Sequence, residues 1–120
     1  MSISNYLENA ILDTLRNQSL AVASVYIKLH TGDPGEAGTS NAATETTRKL
    51  ISFSAASSGS MASSAAISWT NVAATEVYTH WSAWDNSSAG NCLWTGALNA
   101  SASLTAGDTF TISTLTLTLD

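Results

Sequence analysis

The sequence predicts a mainly β fold: a β-sandwich or jelly-roll-like domain of about seven strands, preceded by one amphipathic helix. Three observations predict it. Apolar residues recur at helical spacing near the N-terminus, then switch to a period of two from Val22 onward. Clusters of Gly, Asn, Asp and Ser separate the alternating runs. Hydrophobic residues make up 44% of the 120, with four tryptophans among them, enough to bury a core in one domain. Residues 1–120 therefore read as a single domain, with the helix in 1–20 and the β region in 22–120.

The helix is carried by Ile3, Leu7, Ala10, Ile11 and Leu15 on one stripe, with Glu8, Asp13 and Arg16 on other faces. Asn5 followed by Glu8 fits a capping box, Ser2 or Ser4 equally supplies a start, and Asn17 supplies a stop. Val25, Ile27 and Leu29 alternate with Tyr26, Lys28 and His30, the pattern of a half-buried strand. Thr31 to Gly38 breaks that strand with the only proline and three glycines. Pro34-Gly35 suits a tight turn, because glycine accepts a positive φ. The polar stretch continues to Thr47 as a long loop of the kind that binds partners.

Ile51 and Phe53 resume the alternation, and Ile67 and Trp69 do so again after the small-residue stretch Ala55 to Ala66. Glu76 to Asp85 is a strand with bulk on both sides: Val77, Thr79, Trp81 and Ala83 on one face, Tyr78, His80, Ser82 and Trp84 on the other. Asn86 to Gly90 forms a hairpin loop into the next strand, Asn91 to Leu98. In the last run Phe110 and Ile112 are even-numbered, whereas Leu115, Leu117 and Leu119 are odd. Strict alternation sends these sets to opposite faces. Either a bulge near Ser113-Thr114 restores one face, or the strand crosses to another subunit.

Motifs of chemistry are weak. His30 and His80 with Asp33 or Asp85 lack the spacing of a metal site. Gly59-Ser60 lacks the strained frame of a nucleophilic serine. The loop Gly32 to Gly38 has no G-K-[ST] ending and no helix after it, so phosphate binding fails on mechanism. Cys92 beside Leu93 and Trp94 reads as a small core residue, and the Asn-x-Ser triplets at Asn17, Asn86 and Asn99 as products of composition. Glu76 and Asp85 flank Trp81 and Trp84, which suggests a sugar site, but the acids stand near opposite ends of one strand. The expectation is no enzyme, no catalytic residues, no metal and no cofactor.

Only 11% of the residues are charged, and Ser plus Thr make up roughly three in ten. A lone soluble protein normally carries about twice that charge density to stay dispersed. A surface this neutral is suited to being covered by other proteins. With four basic residues and a net charge of −5, no basic stripe exists for nucleic acid. No run approaches a membrane span, and no signal peptide is read.

Several segments carry a resemblance: Ser2-Ile-Ser-Asn-Tyr-Leu-Glu-Asn-Ala-Ile-Leu12, Val25-Tyr-Ile-Lys-Leu-His-Thr-Gly-Asp-Pro-Gly35, Val77-Tyr-Thr-His-Trp81, Ala83-Trp-Asp85, Gly90-Asn-Cys-Leu-Trp-Thr-Gly-Ala-Leu98 and Ala106-Gly-Asp-Thr109. Together they resemble small virion structural proteins of tailed bacteriophages, of tail-fibre-like or capsid-decoration type. One segment departs, since Glu45-Thr-Thr-Arg-Lys49 stands where a Gly-Tyr-Ala-Arg-like stretch is expected.

The resemblance implies a non-enzymatic role in the virion; the location expected there is the capsid surface in preference to the tail. The first expectation is a decoration or cement protein, a homo-oligomer bound to the major capsid protein or other virion proteins. Its assembly contacts are expected at Ile3, Leu7 and Ile11 of the helix, at Asp33, Pro34 and Glu36 of the loop, and at Leu115, Leu117 and Leu119 of the last strand. The alternative is a tail- or head-fibre module that binds a host receptor glycan on Trp81, Trp84 and Asp85. The position of the tryptophans discriminates: buried rings favour a scaffold, a solvent-facing pair beside an acid favours sugar.

Overall fold

A computed structural model describes residues 2–119. Ser2–Ile3 forms a short strand, β1, and Asn5–Asp13 the helix α1. Then follow β2 (Val25–His30), β3 (Lys49–Ile51), β4 (Ser60–Ala62), β5 (Ile67–Trp69), β6 (Glu76–Trp84), β7 (Cys92–Leu104), β8 (Phe110–Ile112) and β9 (Thr116–Thr118). The fold is mainly β with one N-terminal helix, as the alternation predicts. Nine strands replace the expected seven or so because β1 pairs before the helix begins and the last run divides into β8 and β9.

Five strands form an antiparallel sheet in the order β1-β7-β6-β2-β3, and two ribbons, β4-β9 and β5-β8, complete the fold. The core joins the two parts. Ile27, Leu29, Trp81, Ala83 and Trp94 of the sheet meet Ile67, Trp69, Ile112, Leu115 and Leu117 of the ribbons in one buried cluster. Phe110 stacks on Trp69 at 5.9 Å and meets Tyr78 edge-on at 5.4 Å.

The parity change in the last run is absorbed by a break between the ribbons. β8 pairs with β5 and β9 with β4, while Ser63 holds Leu115 between them through N–H to O and N–H to Oγ bonds of 2.9 Å each. Ile112, Leu115 and Leu117 thus share one core. A second break corrects the expected faces of β6. The β6–β7 register shifts between Tyr78 and His80. Tyr78 is fully buried in the core, whereas Val77, expected on the face of Trp81 and Ala83, is 44% exposed.

The helix is shorter than its apolar stripe. Ser4, not Asn5, is the N-cap: its Oγ accepts from Leu7 N–H, and its own hydroxyl donates to the Cys92 carbonyl. After Asp13 the chain tightens into one 3-10 turn and stops at Asn17, whose φ of 65° is left-handed. That tightening turns Leu15 out of the expected stripe and leaves it 85% exposed. No residue of α1 is fully buried, and no helix among the described residues is long and apolar enough to cross a membrane.

Candidate functional site

Strand alternation gives the sheet a second face, made by Tyr26, Lys28, His30, Ser82 and Trp84, and the loop 31–48 returns across it. Gly38 of that loop, at a φ of +72°, comes so close that a Cβ there would lie 2.6 Å from Cys92 Sγ and 3.0 Å from the Trp84 ring. Arg48 closes the cover. Its guanidinium lies 4.1 Å from the Trp84 ring centroid and donates to the carbonyls of Asn86 (2.9 Å) and Ala89 (2.7 Å).

Beneath this cover His30, Ser82 and Trp84 form a directed chain of hydrogen bonds. His30 Nδ1 lies 2.9 Å from the Ser40 carbonyl, which can only accept, so Nδ1 carries the proton. Ser82 Oγ–H then donates to His30 Nε2 at 2.7 Å, and the same Oγ accepts from Trp84 Nε1–H at 2.7 Å. Burial holds the His30 pKa below its usual 6.5; the Ser40 bond opposes that shift and the Lys28 charge adds to it. The Ser82–His30 distance is that of a nucleophile and its base. Both residues are fully buried, however, and no carbonyl substrate can approach Oγ.

Cys92 lies nearby, at the wall of a cleft beside α1. It is buried, and burial pushes its thiol pKa up to about 11. His80 is the cross-strand partner of His30, with Nδ1 2.8 Å from Thr79 Oγ1. Among the described residues no group of three or more His, Cys, Asp or Glu is placed to hold a metal ion.

The residues of the proposed glycan platform point inward. Trp81 and Trp84 are 4% and 7% exposed. Asp85 instead closes the 86–90 hairpin: Oδ1 accepts from Asn91 N–H at 2.7 Å and Oδ2 from the Asn91 amide at 3.0 Å. Glu76, at the other end of β6, accepts from the N–H groups of Thr44 and Glu45. All four indoles are internal (Trp69 and Trp94 complete the set), so the structure places no Trp–acid pair in solvent.

The expected assembly contacts separate into two groups. Pro34 of the loop is fully buried, and Leu115 and Leu117 are 3% and 7% exposed in this chain's own core. The side chains of these three are covered by this chain itself. Leu119 is 49% exposed. Asp33 is exposed, and its Oδ1 accepts from Gly35 N–H at 2.9 Å. Glu36 is exposed and accepts at 2.8 Å from the Asn5 amide, oriented so that its NH2 group also donates to Glu8. That bond ties the loop to the first turn of α1, across a cleft of about 520 Å³ lined by Ser4, Tyr6, Trp84 and Asn91. Ile3, Leu7 and Ile11 are partly buried, with Ile3 and Leu7 packed against the core.

Apolar residues at and beyond the end of the helix carry more free apolar surface, and of these the helical periodicity singled out Leu15 alone. Leu12 and Leu15 are 62% and 85% exposed, and Leu20 and Val22 are 36% and 39% exposed. For Leu20 and Val22 the signal in the sequence is an apolar content that continues after Asn17, where neither helical nor strand pairing takes it up. A groove of about 660 Å³ lies between Ala97–Ala100 of β7 and the β8–β9 connection, with Trp81 in its wall.

The family model described as podophage GP4 fiber I protein gp80 matches residues 2–120. No curated protein matches the chain.

Proposed function

The chain belongs to the podophage GP4 fiber I protein gp80 family, a bacteriophage virion structural family, and from that premise we propose that it is a building block of a virion fibre. It works by adhesion and not by catalysis. Its neutral surface is covered by neighbouring virion proteins, and burial of apolar area at about 25 cal/mol per Å², less the ordering costs of association, drives the contact.

The observation that carries this reading is a fibre-family match over residues 2–120. The internal tryptophans support a scaffold over a sugar-binding head, because Trp81 and Trp84 hold the core and the loop cover together. The buried Ser82–His30 pair and the raised thiol of Cys92 fit a structural role for the groups that would otherwise suggest chemistry. A cement protein on the capsid makes the same demands of composition, but the family description favours the fibre.

Labelling the protein on intact particles and imaging them by electron microscopy tests the reading. Density on a fibre is the expected result. Label spread over the capsid shell, or absent from the particle, overturns it.

A further inference from the structure

Two of the four basic residues stand side by side without an acid to separate them. The pairing Val25↔Ile51, Tyr26↔Leu50 and Ile27↔Lys49, carried one step further, sets Arg48 beside Lys28 on the second face of the sheet. Burial, and after it the Arg48 charge, hold the Lys28 pKa below its usual 10.5. Like charges directly opposite one another destabilise a strand pair. Arg16 takes the ordinary course and pairs with Asp13, but among the described residues neither Lys28 nor Arg48 forms an ion pair.

Arg48 is also held with part of its donor set unused. Its Nη1 is engaged by the Asn86 and Ala89 carbonyls, and its plane is seated 4.1 Å from the Trp84 ring centroid. Among the described residues Nε–H and Nη2 donate to nothing, and neither does Lys28 Nζ. That free edge of a guanidinium is a fork that receives a carboxylate through two parallel bonds. Asp85, whose charge reaches Arg48, has both carboxylate oxygens bonded to Asn91. The first and last described residues lie elsewhere: Ser2 pairs with Thr95 toward the opposite edge of the sheet, and Leu119 N–H donates to the Gly59 carbonyl beside the ribbons.

We propose that Lys28 and Arg48 form a docking point for a carboxylate side chain of a neighbouring virion protein, received by the free edge of Arg48 and the Lys28 ammonium together. The virion neighbour rests on the fibre reading; the affinity for carboxylate does not.

A protein is the occupant that the surroundings favour. Neither residue lines the clefts of about 520 and 660 Å³, whereas free anions and sugars are held in concave sites that bury most of the ligand. Leu50 is the cross-strand partner of Tyr26, so it shares their face, and it is 55% exposed. An exposed leucine beside a tyrosine and a braced arginine has the make-up of a protein contact. An acidic neighbour also relieves the repulsion between Lys28 and Arg48.

The purified chain tests the recognition. It has two arginines, so nuclear magnetic resonance of the isotope-labelled chain shows two Nε–H signals, with the Asp13-bound Arg16 as internal reference. A capped tetraglutamate peptide is expected to move the Arg48 signal saturably and to leave that of Arg16 in place; tetraglutamine should move neither. Lys28→Gln is expected to weaken binding about three-fold or more. Arg48→Lys, read at the Lys28 amide, should weaken it about as much, because it keeps the charge and loses the fork. Lys28 makes no bond to a described side chain, so thermal unfolding of Lys28→Gln should match the parent and confirm the fold. On intact particles, carbodiimide coupling of amines to carboxylates is expected to join Lys28 to an Asp or Glu of a neighbouring protein, a second copy included, and to leave it free in the isolated chain.

An Arg48 signal that ignores tetraglutamate, that answers tetraglutamine equally, or that responds as strongly in Lys28→Gln overturns the proposal. So does a Lys28 left uncoupled on the particle, including one shielded instead by an acidic host polysaccharide. Imaging that places the label on the capsid would defeat the fibre reading while leaving the glutamate titration standing.

Discussion

Trp81 packs directly against Gly96, its cross-strand partner on β7, so closely that a Cβ on Gly96 would lie 2.6 Å from Cζ2 of the indole. The bare backbone makes room for an indole of the central strand, and the ring in turn covers a glycine that has nothing of its own to pack. Both the core and the groove wall depend on this pair.

Gly96→Ala is therefore expected to force Trp81 from its position and to cost about 1–3 kcal/mol, the usual range for overpacking a core. Urea unfolding followed by tryptophan fluorescence measures it. An unchanged midpoint would show that the ring has space the geometry does not give it.

Ser82→Ala removes the hydroxyl that both accepts from Trp84 and donates to His30. Two buried polar atoms lose their partner, and a loss of about 2–6 kcal/mol is expected at roughly 1–3 kcal/mol for each unsatisfied group. Ser82→Thr keeps the hydroxyl and should recover part of the loss; an alanine variant as stable as the parent would rule out the relay as a source of stability.

His30 gives the fold an acid sensitivity. Its folded pKa lies below the unfolded 6.5, so the unfolded chain takes up the proton first as the pH falls. Stability from this group is complete above pH 6.5 and declines below it, until the pH reaches the folded pKa. Calorimetric melting temperatures should be level near neutrality and fall through the mildly acid range. His30→Asn should flatten that part of the profile, at the cost of a lower plateau; an identical profile would assign the sensitivity elsewhere.

Tyr78 makes the opposite case. Its hydroxyl is buried without a hydrogen-bond partner, and burial together with Glu76 and Glu45 pushes its pKa up to about 12 from 10. Tyr78→Phe keeps the contact with Phe110 and discards an unpaired group, so it is expected to be neutral or to stabilise by up to about 1 kcal/mol. Above pH 10 the unfolded parent ionises before the folded one and stability falls, a loss the variant should lack. Cys92, raised to about 11, adds a decline beginning near pH 9 that both proteins share. A destabilised Tyr78→Phe would reveal a partner for the hydroxyl.

Much of the fold was legible because side-chain alternation is a local property of the backbone. Ile27 and Leu29 on one buried side of β2, the positive φ at Gly35, the hairpin at Asn86 to Gly90 and the stop at Asn17 all follow from neighbours in sequence. The break near Ser113 was visible as a parity change, although the text of the chain left open whether it served the core or a partner. The site was less legible. Trp81, Trp84 and Asp85 stand together as a plausible sugar platform until the loop 31–48 and the ribbons are laid over them. Leu15 continues the helical stripe on paper, but a single 3-10 turn rotates it outward.

By itself, then, the sequence determined a mainly β chain of low charge density with a helix at its start, and the apolar side of regular strands such as β2 and β5. Tertiary structure alone decided which of those sides would be covered from within. The Ser82–His30 bond spans 52 positions and the Trp69–Thr47 bond 22, and no local pattern records which distant segment will arrive.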